Sequence, residues 1–131
     1  MKLALQTIRD LYSCMEQGNI GKLVAALHDE VWVYTAHCMG GNRRGREGIL
    51  HQVPAFYRPG TGVKKIVNHF IEHDDLIIVL GTIQLTLPNA DINAMSFVDV
   101  WHFDNDRIQS VHYYYRDPVE LYKYLERSSQ I

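Results

Sequence analysis

Asp99, in the stretch FVDVWHF at residues 97–103, is the side chain best suited to chemistry. Side chains alternate between the two faces of a strand, so Asp99 shares a row with Phe97, Trp101 and Phe103, while Val98, Val100 and His102 occupy the other. A carboxyl group among aromatics is costly to bury unless it is paired, hydrogen-bonded or protonated. Kept neutral, it can donate a hydrogen bond to a carbonyl or enolate oxygen. Held by a backbone group or a tyrosine hydroxyl, it is a structural carboxylate. His37, at the end of VWVYTAH, offers an imidazole that titrates near neutrality and can act as a base; it reads more readily as an exposed loop histidine beside CMGG. Phe56, Tyr57, Phe97, Trp101, Tyr113 and Tyr115 form an aromatic set suited to a flat, mostly apolar, oxygen-bearing molecule, or simply to a core.

Other candidates carry less. His69 and His73 fall on a predicted strand, where a spacing of four residues separates them by about 13 Å, too far for a shared metal. The basic, glycine-bearing NRRGREG lacks the lysine and the strand of a phosphate loop and reads as a solvated loop. Cys14 and Cys38 have neither zinc-site spacing nor a base partner, and they point to a reducing, cytoplasmic setting without a disulfide framework. No metal or organic cofactor is called for.

These residues need positioning. Leu5, Ile8, Leu11, Tyr12 and Met15 repeat at helical spacing and predict a helix over 3–17. Gly18 suits its C′ position, and Asn19 caps a short second helix through Ile20, Leu23, Val24 and Leu27. VWVYTAH (31–37) is β-rich. After the loop CMGGNRRG comes a helix over 46–57, bent or ended early by Pro54. Beyond RPGTG, strands are expected at 63–73, 76–87, 92–103 and 107–116, joined at HDD, PNAD and DNDR. Asp117-Pro118 opens a last helix through Leu121, Tyr122 and Leu125.

At 131 residues, with 47% hydrophobic and 21% charged residues, the chain reads as one domain over 1–131. Its net charge of −2 provides no basic footprint for nucleic acid or for a membrane surface, and it contains no long apolar run. Helices segregated from an antiparallel sheet make an α+β fold. A long curved sheet wrapped around the N-terminal helices closes into a cone whose interior can hold a small ligand. The outer sheet face then needs cover, most simply a second copy of the chain, giving a homodimer. Trp32 and Tyr34 are expected in the helix layer or on that dimer face.

The order of elements resembles the nuclear-transport-factor-2-like superfamily, which includes ketosteroid isomerases, SnoaL-type polyketide cyclases, scytalone dehydratase and limonene epoxide hydrolase. MEQGNIGKLVAALHDEVWVY is similar to the family's second-helix segment and first strand, GREGI to the opening of its third helix, and FVDVWHFDNDRIQSVHYYY to its last hairpin. The resemblance implies a cone-shaped α+β barrel, or cystatin-like roll. It places Asp99 where ketosteroid isomerases carry the neutral aspartic acid of their oxyanion hole, and Tyr12 near the tyrosine of that hole. Thr35 stands at the isomerase base position, where threonine cannot serve as a base, while His37 follows two residues later. The row Val111, Tyr113 and Tyr115 is implied to face the cavity, with His112 and Tyr114 outside. Trp101 occupies the position where an epoxide hydrolase of this superfamily would need arginine. The function implied is cofactor-independent proton transfer (isomerisation, cyclisation or dehydration); the rival is a non-catalytic ligand-binding or assembly module, since the fold hosts many chemistries.

Overall fold

Ile8, Leu11, Tyr12 and Met15 lie on one side of helix α1 (Lys2–Glu16), and all four are buried. The computed structural model describes residues 2–57 and 60–129. Gly18 adopts φ +76° and ends α1, its N–H bonding to the Met15 carbonyl at 3.0 Å. Helix α2 (Gly21–Ala26) and strand β1 (Leu27–Tyr34) follow, then a 3₁₀ turn at His37–Met39 and a two-residue strand β2 (Arg43–Arg44). Helix α3 (Glu47–Tyr57), strands β3 (Val63–His73), β4 (Leu76–Thr86), β5 (Ile92–Asp104) and β6 (Arg107–Tyr115), and helix α4 (Pro118–Ser129) complete the chain. Asp117 caps α4, its Oδ1 accepting the Glu120 N–H at 3.0 Å.

The sheet order is β2-β1-β6-β5-β4-β3. Strands β3 to β6 pair antiparallel in sequence order, as the hairpin signals predict. Strand β1 instead lies parallel to β6, which makes the sheet mixed. No local turn signal could announce that pairing, because it joins the first strand to the last. Strand β1 starts at Leu27 and stops at Tyr34, so Thr35 and His37 lie beyond it rather than on it. The chain turns away at once, the Met39 N–H closing on the Ala36 carbonyl at 2.9 Å and Gly40 taking φ +117°. Helix α3 runs through Pro54 to Tyr57 instead of ending there; the lost N–H bond is offset by the buried face of Ile49, Val53 and Phe56. Arg58 and Pro59, the start of the predicted RPGTG loop, lie outside the described residues. Among the described residues no helix is long and apolar enough to cross a membrane.

Alternation along β5 is complete where it matters: Met95, Phe97, Asp99, Trp101 and Phe103 are all buried. Val111, Tyr113 and Tyr115 of β6 join that inner row. The outer face carries a ladder of stacked rings. Trp32 and Tyr34 lie 5.7 Å apart at 15°, Tyr34 and His112 4.3 Å apart at 14°, and His112 and Tyr114 6.0 Å apart at 14°. Trp32 and Tyr34 are therefore on the outer face and not in the helix layer.

Curvature comes from β3 and β4. Their register shifts between Val67 and His69, leaving Asn68 as an inserted residue opposite the Gly81–Leu80 step. A Cβ on Gly81 would collide with the Ile66 carbonyl oxygen and with the ring of Phe97, its partner on β5. Only glycine allows this close approach. Gly81→Ala is expected to destabilise the fold by about 2 kcal/mol or more, the scale of overpacking, measured as a lower urea midpoint at unchanged slope.

Candidate functional site

Asp99 lies mid-strand on β5, opposite Val79 of β4 and Tyr113 of β6, and no part of it reaches solvent. Its Oδ2 accepts a hydrogen bond from the Tyr12 hydroxyl of α1 and an ion-pair contact from Lys65 Nζ of β3 at 2.8 Å. Its Oδ1 is buried without a hydrogen-bond partner. The Tyr12 oxygen also accepts the indole N–H of Trp101 at 3.0 Å. The Tyr12 hydroxyl is thereby fixed by two bonds, donating to the carboxylate and accepting from the tryptophan.

Lys65 is the residue that sequence reasoning missed. Its side chain is 6% exposed. Its ammonium sits 4.5 Å from the ring centre of Phe97, 5.3 Å from Phe56, 5.6 Å from Tyr113 and 5.7 Å from Tyr12. Aromatic faces attract a cation, most strongly where water is excluded, so one carboxylate and four rings replace its hydration. A signal was available. Two adjacent lysines on a strand must place one on each face, and Lys64-Lys65 sends the second inward.

The structure brings Tyr12, Phe56, Tyr57, Phe97, Asp99, Trp101 and Tyr113 together around this ammonium. Tyr115 stands one step further on, stacked on Phe56 at 5.8 Å and bonded to Gln52, whose Nε2 donates to its hydroxyl at 2.7 Å. Val111 is fully buried opposite Trp101, behind the wall of the site rather than on it. Thr35 is half-buried, its hydroxyl without a partner, and it does not line the space around Asp99. His37 is exposed on the 3₁₀ turn and contributes nothing to that space.

Little of the cone interior is empty. The cavity touching Asp99 measures about 10 Å³, room for a single water at most, because Lys65 and the rings fill the rest. Room for a ligand lies outside it. A cleft of about 420 Å³ runs between α1 and β3, and another of about 250 Å³ between α3 and β3. Both share Tyr57 and Lys65 with the inner cavity.

Residues 8–111 match the family model of the SnoaL-like domain. The chain belongs to the SnoaL-like domain family. No curated protein matches it. Among solved structures it is similar to an NTF2-like protein of unknown function from Burkholderia pseudomallei K96243, with 25% identity, TM-score 0.77, and coverage of 95% of this chain and 98% of that one. It is similar at the level of fold to TerC, co-crystallised with polyporic acid, with 22% identity, TM-score 0.73 and coverage of 95% and 98%. A Jannaschia sp. CCS1 protein assigned as a SnoaL-like polyketide cyclase shares the fold at 8% identity and TM-score 0.72, with coverage of 92% and 90%.

In this SnoaL-like site the tyrosines hold their protons. Burial raises the Tyr12 hydroxyl well above its ordinary value, and the Asp99 charge and hydrogen bond add to the effect. Burial, followed by the Asp99 charge, likewise raises Tyr57, Tyr113 and Tyr115. Each is a hydrogen-bond donor at neutral pH. The lysine and the carboxylate depend on one another, since removing one partner leaves a buried, uncompensated charge. Lys65→Met is expected to cost about 3–5 kcal/mol by denaturant unfolding. Adding Asp99→Asn to that variant should recover much of the loss, the coupling being read from the double-mutant cycle.

Proposed function

We propose that this SnoaL-like protein is a small-molecule enzyme that moves a proton on an apolar, oxygen-bearing substrate, in an isomerisation, cyclisation or dehydration without metal or organic cofactor. The observation that carries this reading is the division of labour on Asp99: Oδ2 is held by Tyr12 and Lys65, while Oδ1 is buried and unpartnered. Such an oxygen is a positioned proton acceptor. It takes a proton from the carbon beside a substrate carbonyl, and the C–H electron pair passes into the enolate. The Lys65 ammonium, close to the same space, stabilises the oxygen that gains charge. Proton return from Asp99 to another carbon completes an isomerisation; attack of the enolate carbon on a second carbonyl, whose π electrons pass to its oxygen and whose oxygen then takes the proton back from Asp99, completes a cyclisation. The donor role foreseen for a neutral Asp99 thus passes to Lys65, with Tyr12 orienting the carboxylate. Thr35 and His37 take no part. The free thiols of Cys14 and Cys38 suit a reducing, cytoplasmic setting.

A non-catalytic ligand-binding or assembly module is the second reading, and one observation favours it: the 10 Å³ beside Asp99 admits no substrate unless side chains move. A panel of ketones, enones and polyketide-like phenols, tested for thermal shift and for turnover, separates the two. Asp99→Asn leaves the Lys65 ammonium without its counter-charge and should cost stability, so turnover is compared per folded protein, where a loss of about 10²-fold or more is expected. Turnover that survives this change ends the catalytic reading, and binding without turnover in the unaltered protein supports the module.

The outer aromatic ladder is proposed as the face of a homodimer. Trp32 is 37% and Tyr114 55% exposed, large rings of the kind enriched at protein interfaces. Sedimentation is expected to show a dimer, and Tyr114→Glu should shift it towards monomer. An unaltered monomer would remove the proposal.

A further inference from the structure

The cleft between α1 and β3 has a charge balance opposite to that of the whole chain. The protein carries 15 acidic and 13 basic residues. The cleft is lined by Arg9, Lys64 and Lys65 against a single carboxylate, Glu16. Lys65 is internally neutralised by Asp99, but Arg9 and Lys64 form no ion pair among the described residues. The Arg9 guanidinium lies 4.8 Å over the Phe70 ring, which holds it at the rim of the cleft and leaves its N–H groups free of carboxylates. Tyr12, Tyr57 and Phe70 supply aromatic surface to the same cleft, whose volume of about 420 Å³ lies in the range of small-ligand sites. A second feature also asks for a ligand. Beneath this cleft, Asp99 Oδ1 is buried and unpartnered, and the Lys65 ammonium makes one hydrogen bond, its other N–H groups meeting only aromatic faces.

We infer that the cleft between α1 and β3 binds an anionic aromatic ligand, an aryl carboxylate or acidic phenol, whose charged oxygens are drawn by Arg9 and Lys64 while its ring lies among Tyr12, Tyr57 and Phe70. This rests on the proton-transfer reading above, with the cleft that shares Tyr12, Tyr57 and Lys65 with the cavity at Asp99 taken as the way in, and it narrows the substrate of the proposed enzyme from apolar and oxygen-bearing to aromatic and negatively charged. Two separate cations at the mouth also steer such an anion inward and raise its local concentration.

The test is a binding measurement on the full chain, independent of turnover. Matched probes of equal shape, 2-naphthoate and 2-acetylnaphthalene, are titrated by calorimetry, with 2,4-dinitro-1-naphthol, which is ionised at its phenol at neutral pH, and its methyl ether as a second pair that tests the acidic phenol. The anion is expected to bind about tenfold tighter than its neutral partner at low salt, with the preference shrinking as salt is raised. In Arg9→Gln/Lys64→Gln the preference should vanish while affinity for 2-acetylnaphthalene is unchanged. Equal affinity for both members of each pair, or a preference that survives the double substitution, overturns the inference and leaves the proton-transfer reading standing. Failure of all probes to bind at millimolar concentration overturns the inference and also counts against the cleft as a substrate route.

Discussion

A carboxylate and an ammonium share the centre of this protein, and most of its architecture accommodates them. Asp99 and Lys65 meet at 2.8 Å with almost no access to water. Taking two such charges from solvent costs several kcal/mol per ion, which their mutual attraction offsets only with good geometry and further hydrogen bonds. Four rings around the ammonium and the Tyr12 hydroxyl on the carboxylate provide part of that. The remainder is left unmade, because Asp99 Oδ1 has no partner. An unmet buried acceptor carries its full desolvation cost, and the cavity of about 10 Å³ beside Asp99 has room for a single water to meet it.

The fold delivers the two charges from elements that serve other ends as well. Strand β3 is an edge of the sheet, and edges invite pairing with other chains unless something blunts them. An inward-pointing lysine and a bulge at Asn68 are both devices of that kind. Lys65 therefore has a structural use at this edge besides its pairing with Asp99. Gly81 links the same strand to the site: its missing side chain lets β3 and Phe97 close in, and the Phe97 ring then faces the Lys65 ammonium at 4.5 Å. Curvature, edge protection and electrostatics meet within a few residues.

Much of this was legible in advance. The alternation of FVDVWHF placed Asp99 inward among aromatics, and its neighbours Phe97, Trp101 and Tyr113 are found there. The family followed from the order of elements, and residues 8–111 match its model. His37 was harder to place, since VWVYTAH looks β-rich to its end while the glycines of CMGG turn the chain before the imidazole can join the sheet. Lys65 went unread because KK in VKKIVNHF looks like an ordinary solvated pair. A strand's period of two assigns one lysine to each face, but it does not say which face a distant carboxylate will occupy.

Local pattern thus determined most of the elements, the inner rows and the burial of Asp99, because hydrophobic period and turn chemistry act over a few residues; the bounds of β1 and the short β2 escaped it. Tertiary structure decided what Asp99 meets there. Tyr12 is 87 positions from Asp99 in the chain and Lys65 34, and contacts at such separations follow from sheet register and helix docking. The unpartnered oxygen was likewise invisible in the sequence, since a vacancy is defined only by everything packed around it.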